Sequence, residues 1–183
     1  MRKITTGLFT SLDGIVDADD DWQFTYFDAE LMHEISNNSG IDDLLMGRVS
    51  YEGYARLRTE HPDSPVLPFL DSKPKHVVST TLSDQDLDWE GARIIGGDVT
   101  AGVRALKRSP GRGILVLGSP MLVRWLLAHG LLDELALTVF PIVVGSGPRL
   151  FQDMPAERVG LRLTEHRALA SGTLSLRYTP ATG

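Results

Sequence analysis

Residues 113–140 contain the pattern that most constrains how this chain can fold. Residues 114–117 form an unbroken apolar run, which is too short for a helix and typical of a strand buried on both faces. Gly118 ends this run. Ser119 then suits a helix N-cap, because its side-chain oxygen can accept a hydrogen bond from a free N–H of the first turn. Pro120 suits the first helical position, where its missing N–H costs nothing.

The same stretch continues as a helix and a second strand. Apolar side chains recur at helical spacing at Met121, Leu122, Trp125 and Leu126. Gly130 lies where this helix should end, and residues 135–140 indicate a strand. A strand, a helix and a strand in this order form a βαβ unit with parallel strands. Its first turn directs free N–H groups and a helix dipole at one point, which suits a phosphate, although a well-capped helix that binds nothing fits equally well.

Composition narrows the class of protein. The chain has 183 residues, of which 42% are hydrophobic and 23% charged, and this predicts one globular domain over residues 1–183. A formal net charge of −6 argues against a nucleic-acid partner. No apolar run is long enough to cross a membrane, and there is no cysteine to form a disulfide, a thiolate zinc site or a nucleophile. These properties favour a cytoplasmic protein.

The rest of the chain alternates between strands and helices. Strands are predicted at residues 2–12, 44–46, 76–79 and 92–95, and helices at 29–38, 48–57 and 99–107. The acidic segment 17–22 and the segment 59–74, which holds four prolines, are predicted to be loops. Residues 161–167 and 173–179 alternate around a Ser-Gly turn, which predicts an antiparallel hairpin. The expected fold is α/β, with a mostly parallel central sheet closed by this C-terminal hairpin.

Small residues follow four of the predicted strands. They are Gly47; Ser79, Thr80 and Thr81; Gly96 and Gly97; and Gly118 and Ser119. In an open α/β sheet, ligands bind outside the carboxyl ends of the strands, where such turns meet. Arg48 adds a fixed positive charge and a bidentate donor beside the first turn. Each turn alone is weak evidence, because any short connection favours glycine or serine. Together the four turns predict a nucleotide site.

The common catalytic motifs are absent from the sequence. It has no P-loop, no three-glycine dinucleotide fingerprint and no Gly-x-Ser-x-Gly elbow. The five histidines lie far apart, and His33-Glu34 lacks a second histidine four residues on, so no metal site is predicted. The absence of an activated nucleophile favours chemistry carried out by a bound cofactor.

Two carboxylates beside the acidic segment are candidates for contact with a substrate. We predict that Asp13 or Asp28 has this catalytic role. The alternatives are that Asp13 is only a turn residue and that Asp28 is only a helix N-cap. Trp22 is either an anchor for the segment or a wall for a flat ring.

Five motifs occur in an order that resembles a known family. They are Ser11-Leu-Asp-Gly14, Met46-Gly-Arg-x-Ser-Tyr-Glu52, Lys73-Pro-Lys-x-Val-Val-Ser79, Leu117-Gly-Ser-x-x-Leu122 followed by Gly130-Leu-x-Asp-Glu-Leu135, and Pro141-x-Val-Val-Gly-x-Gly-x-x-Leu-Phe151. Over nearly its whole length, the chain resembles the dihydrofolate reductase-like superfamily, in the branch that contains the reductase domain of bacterial riboflavin biosynthesis.

The resemblance implies a dihydrofolate reductase-like, three-layer α/β/α fold with NADPH as the cofactor. It implies that cofactor phosphates are bound by Gly47, Arg48 and Ser50. The adenosine 2′-phosphate and ribose would lie by Ser79, Thr80 and Thr81, and the pyrophosphate by Gly118, Ser119, Pro120, Met121 and Leu122. Gly97, from the third of the four turns, completes the predicted cofactor site. Members of this branch often pair, so we expect a homodimer.

These observations predict an NADPH-dependent reductase that transfers a hydride to a small heterocyclic substrate, either a ribosylaminopyrimidine or a pterin- or dihydrofolate-like compound. The alternative is a homodimer on the same fold that binds a nucleotide or flavin without turnover. NADPH should be preferred to NADH, because Arg48 and the hydroxyls of residues 79–81 offer charge and donors to a 2′-phosphate. The alternative for Arg48 is an ion pair with a surface carboxylate.

Overall fold

A computed structural model describes residues 1–16, 21–36, 40–154 and 158–181, which form one mixed sheet flanked by helices. The strands are β1 (Lys3–Ser11), β2 (Ile41–Gly47), β3 (Lys75–Val78), β4 (Ala92–Ile95), β5 (Gly113–Leu117), β6 (Glu134–Phe140), β7 (Leu161–Ala168) and β8 (Leu174–Pro180). The α-helices are α1 (Ala29–Ile35), α2 (Arg48–Glu60), α3 (Leu67–Asp71), α4 (Val99–Arg108) and α5 (Pro120–Ala128). None of these helices is long and apolar enough to span a membrane.

The strands lie in the order β4-β3-β2-β5-β1-β6-β8-β7. The first six strands of the chain are parallel, whereas β8 runs antiparallel to both β6 and β7. The mostly parallel sheet with a C-terminal antiparallel hairpin is therefore confirmed. So is the βαβ unit, in which β5 and β6 flank β1. Because β4, β3, β2 and β5 are consecutive in the sheet, their carboxyl ends lie side by side at one edge.

The helices form a layer on each face of the sheet. Alternate residues of a strand point to opposite faces. In β5, Ile114 and Val116 are buried in a cluster with apolar residues of α4 and α5. Leu115 and Leu117 pack instead against a cluster that contains residues of α2 and α3. The three-layer α/β/α arrangement is thus confirmed.

The proline-rich segment 59–74 is not entirely a loop as predicted. Its first two residues continue α2, and α3 forms in its second half. Pro68 lies in the first turn of α3, where a missing N–H breaks no helical hydrogen bond. The burial of Leu67 and Leu70 then holds this short helix against the sheet.

Two other predictions fall partly outside the described residues. The predicted acidic loop lies outside them from residue 17 to residue 20, and the chain is described again in a 3₁₀ helix at Asp21–Tyr26. The first predicted helix was expected to reach residue 38. It ends at Ile35, and residues 37–39 lie outside the described part.

Candidate nucleotide-binding site

One serine hydroxyl joins the turns that follow β2 and β5. The backbone N–H of Gly47 donates to Ser119 Oγ at 2.8 Å, and Ser119 Oγ donates to Ser50 Oγ at 2.7 Å. The two turns approach so closely that a Cβ at Gly118 would lie 3.0 Å from Ser50 Oγ. We call these four residues the serine link.

Ser119 does not cap α5 as predicted. An N-cap side chain needs an extended backbone to reach the first turn. Ser119 instead has φ 57° and ψ 58°, in the left-handed region, and its side chain makes no capping hydrogen bond. The hydroxyl reaches the neighbouring β2–α2 turn. The predicted start of α5 at Pro120 is confirmed, and Gly130, with φ 62°, follows its end as expected.

Two helix N-termini meet at this edge without side-chain caps. Neither Gly47, the N-cap of α2, nor Ser119, the N-cap of α5, gives a side-chain hydrogen bond to its helix. The first turns are open to solvent, since Val49 is 71% and Met121 74% exposed. Unpaired N–H groups and the positive end of a helix dipole attract anions. The geometry therefore fits a phosphate group between the two helices.

The turns after β3 and β4 pack against each other beside this pair. Ser79 is buried, and its Oγ accepts the N–H of Thr81 at 3.1 Å, so this hydroxyl closes its own turn. Thr80 and Thr81 are exposed. A Cβ at Gly96 would come within 3.3 Å of the Ser79 carbonyl oxygen, and Gly97 has φ 60°. Of the three predicted hydroxyls, the two threonines are thus the accessible ones.

All four predicted turns lie at the same edge of the sheet, along a line from β4 to β5. A dinucleotide is an extended ligand with a charged pyrophosphate at its centre. The small residues along this edge leave room for such a ligand, and the open helix N-termini suit its charge. Leu122 is buried in the core, so only its backbone is available to a ligand. The individual contacts with the cofactor stay predictions.

Arg48 forms an ion pair with a surface carboxylate, which was the predicted alternative to a contact with a cofactor phosphate. Its Nη1 lies 2.9 Å from Glu52 Oε2, and both side chains are about half exposed. An exposed pair one helical turn apart contributes only about 0.3–0.5 kcal/mol. A hydrogen bond to a charged group contributes about 1.5–3 kcal/mol. The pair with Glu52 is thus weak enough to leave this guanidinium available to an anion beside α2.

Asp13 ties the end of β1 to the loop that follows β6. One carboxylate oxygen accepts the Ser11 hydroxyl at 2.7 Å and the Val144 N–H at 3.1 Å, and the other accepts the Gly145 N–H at 2.9 Å. The Ser11 hydrogen bond, followed by the two backbone donors, lowers the pKa of Asp13 from 3.8 to about 2. Asp13 is therefore an anion at neutral pH and cannot donate a proton. Its contact with a substrate stays a prediction.

Asp28 caps α1, which was its alternative role. Its Oδ1 accepts the Leu31 N–H at 2.8 Å, with the extended backbone of an N-cap. The carboxylate is exposed, and its contact with a substrate also stays a prediction.

An aromatic cluster at the carboxyl end of β6 was not predicted. Phe140 is fully buried, and its ring centroid lies 5.7 Å from those of Phe9 and Trp22 and 5.4 Å from that of Tyr26. The Trp22 ring thus packs against the core, as its alternative role of an anchor predicts. The signal in the sequence is the density of aromatic residues in 22–27. Among the residues that the structure describes, no group of three or more His, Asp or Glu side chains could hold a metal ion.

The sequence model of the RibD C-terminal domain family matches residues 2–175. The chain belongs to this family. The resemblance seen in the five motifs is therefore confirmed for almost the whole length of the chain.

This RibD C-terminal domain is similar to one curated protein in sequence and length, and to two solved structures in fold. The uncharacterized protein YyaP of Bacillus subtilis (strain 168) is 29% identical over 184 residues, which cover 97% of this chain and 94% of YyaP. A solved putative riboflavin biosynthesis protein from Shewanella sp. PV-4 has a TM-score of 0.71 at 20% identity, covering 98% of this chain and 99% of that chain. Dihydrofolate reductase from Enterococcus faecalis, complexed with NADP(H), has a TM-score of 0.62 at 12% identity, with coverages of 98% and 97%. The fold is dihydrofolate reductase-like.

The structural role of Asp13, which ties β1 to the loop after β6, can be tested by comparing stability at neutral and acidic pH. A carboxylate with a lowered pKa stabilises the folded state above its unfolded pKa, and this contribution is lost as the pH falls from about 4 toward about 2. Asp13→Asn is expected to lower the urea midpoint at pH 7, and the difference from wild type should shrink near pH 2. Asp63→Asn, at an exposed position, is the control. A difference that is the same at both pH values would contradict this role.

Proposed function

We propose that this protein is an NADPH-dependent reductase that transfers a hydride to a small heterocyclic substrate, a ribosylaminopyrimidine or a pterin. The observation that carries the proposal is the pair of uncapped helix N-termini joined by the serine link. It offers backbone donors to the pyrophosphate of a dinucleotide, and membership of the RibD C-terminal domain family supports it. Bound NADPH would supply the hydride for a C=N or C=O group.

The order of the strands supports one orientation of the proposed cofactor along this edge. The hydroxyls of Thr80 and Thr81 suit the adenosine end, at β3. The nicotinamide end would then point past β5 toward β1 and β6. The side chains of Leu12 and Phe24 are exposed on the segments that follow β1, and the Phe24 ring lies 5.7 Å from that of Phe27. Apolar and aromatic faces of this kind suit a flat heterocycle.

Turnover can be tested directly with the purified protein. It is titrated with NADPH and then mixed with pterins and with aminopyrimidines that carry or lack a ribose phosphate chain. Oxidation of one NADPH for each molecule of one substrate class reduced is the expected result. A wild-type protein that binds no NADPH would contradict the proposal.

A second candidate is the homodimer that binds a nucleotide or flavin without turnover. The observation that favours it is that both candidate catalytic carboxylates already have structural partners, the loop after β6 for Asp13 and the start of α1 for Asp28. Tight binding of NADPH or a flavin, without oxidation of NADPH by any compound of the panel, would favour this candidate.

Gly118→Ala is expected to weaken NADPH binding by tenfold or more. Gly118 has φ 56°, and the added Cβ would press on Ser50 Oγ and spread the two turns. Gly130→Ala is the matched control, because Gly130 has φ 62° with nothing within 4 Å of an added Cβ. Both variants introduce the same left-handed strain. Equal cofactor dissociation constants for the two variants, measured by fluorescence titration, would contradict the prediction.

The protein is also proposed to form a homodimer. β7 is an edge strand, and apolar side chains on the hairpin face solvent, with Leu163 46% and Leu174 38% exposed. Long exposed edge strands are usually covered. Sedimentation should therefore give a dimer at micromolar concentration, and Leu163→Lys should shift it toward monomer. A monomeric wild-type protein would rule the dimer out.

A further inference from the structure

Ser119 has a backbone conformation that is unfavourable for its residue type. Among the described residues, only Ser119 and Asp153 have a positive φ without being glycine. A left-handed backbone brings Cβ close to the following carbonyl oxygen, so glycine would be more stable at this position as far as the backbone is concerned. A side chain that persists at such a position usually does something that glycine cannot do.

The hydroxyl of Ser119 is buried and fully engaged. The residue is 8% exposed, and its Oγ accepts the Gly47 N–H while lying within donating distance of Ser50 Oγ and of the Leu117 carbonyl oxygen, at 2.7 and 3.2 Å. A hydroxyl has one hydrogen to donate. Ser119 therefore cannot donate to a phosphate without giving up its hydrogen bond to Ser50, one of the two that join the turns.

We propose that Ser119 is a positioning residue, whose hydroxyl fixes the spacing of the α2 and α5 N-termini so that both address one pyrophosphate. This inference rests on the proposed function, and it changes the expected role of Ser119 from direct contact to support. It also removes the Gly47 N–H from the set of ligand donors. The donors that remain are those of the first turns of α2 and α5.

The geometry explains why support is needed at this point. The two turns belong to strands that are neighbours in the sheet, but the helices diverge onto opposite faces. In the described structure, the hydrogen bonds that join the two turns beyond the strand ends are those of Ser119. A shift of a few tenths of an ångström would leave one helix N-terminus too far from a shared phosphate, because hydrogen bonds weaken steeply with distance and angle.

The test compares Ser119→Gly and Ser119→Ala with wild type. Ser119→Gly removes the hydroxyl and also the left-handed strain, so its unfolding temperature should stay close to that of wild type. Its dissociation constants for NADPH and for inorganic pyrophosphate should nevertheless rise tenfold or more. Asp153→Gly is the matched control, since it relieves the other left-handed position away from the site.

A second measurement needs no ligand. Amide hydrogen exchange at Gly47, followed by NMR in the unliganded protein, should be faster in both Ser119 variants and unchanged in Asp153→Gly. In a double-mutant cycle, Ser50→Ala and Ser119→Gly should be non-additive in NADPH affinity, because each breaks the same link. Unchanged exchange at Gly47, or wild-type affinity in Ser119→Gly, would overturn the inference while leaving the proposed function intact. A wild type that binds neither NADPH nor pyrophosphate would overturn both.

Discussion

Wild-type protein is expected to bind NADPH about a hundredfold more tightly than NADH. The two cofactors differ by a 2′-phosphate that carries nearly two negative charges. Arg48 lies at the first position of α2, and the exposed hydroxyls of Thr80 and Thr81 lie on the next turn along the edge. Two charge-assisted hydrogen bonds of about 1.5–3 kcal/mol each are sufficient for this preference. Arg48→Ala is expected to remove most of it by weakening NADPH binding while leaving NADH binding nearly unchanged.

Two variants on the same helix sharpen this test. Glu52→Gln removes the carboxylate that pairs with Arg48, so it should tighten NADPH binding by about twofold, which corresponds to the small contribution of an exposed pair. Arg56→Ala removes the same charge two turns farther along α2, at an exposed position, and should leave the preference intact. Dissociation constants for both cofactors decide the matter. Equal affinities in wild type, or an Arg48→Ala protein as selective as its parent, would remove Arg48 from this role.

Asp133→Ala is expected to cost about 1–3 kcal/mol of unfolding free energy, the typical cost of leaving a buried donor without its acceptor, since Lys107 is buried but the Asp133 side chain is 35% exposed. Asp133 Oδ2 accepts hydrogen bonds from Lys107 Nζ and, at 2.7 Å, from the Ile4 N–H. Lys107 is 4% exposed, and its other hydrogen bond goes to the Leu131 carbonyl at 3.0 Å. The substitution leaves a buried ammonium without its counterion and a strand N–H without its acceptor.

Two further variants separate these effects. Asp133→Asn keeps an acceptor for Ile4 and loses only the charge, so it should be less damaging than Asp133→Ala. Lys107→Met removes the buried charge itself and should be the mildest of the three, because an apolar chain can fill the same space. Urea denaturation gives the free energies. A loss below about 1 kcal/mol in Asp133→Ala would show that the pair is solvated and energetically unimportant.

Local signals in the sequence were sufficient for most of the fold. The apolar run and helix start at residues 114–120 predicted β5 and α5, because burial on both faces and the missing N–H of Pro120 act within a few residues. The same kind of reasoning failed for α3. Four prolines indicated a loop, but Pro68 lies in a first helical turn, where proline is harmless, and the packing of Leu70 in the core outweighs the local preference.

The candidate site was predictable only in part. Ligands of α/β sheets bind at the carboxyl ends of the strands, so the sequence predicted that the four small-residue turns form one site, although it did not give the order of their strands. The backbone conformation of Ser119 could not be predicted, because a serine directly before a helix that begins with proline indicates an N-cap. Its left-handed backbone accompanies hydrogen bonds to Gly47 and Ser50, about 70 residues earlier in the chain. The pKa of Asp13 is lowered first by the nearby Ser11 hydroxyl and then by the N–H groups of Val144 and Gly145, which lie in a distant loop and could not be placed from the sequence.

The position of β1 has a consequence for how the protein is made. The first strand of the chain lies between β5 and β6, and the Thr6 hydroxyl donates to a carbonyl 110 residues away. At typical ribosomal speeds, roughly 5–20 s pass between the synthesis of these two positions. During that interval the apolar side chains of β1 have no sheet to join. A nascent chain of this topology therefore carries β1 without either of its neighbouring strands until β5 and β6 have been made.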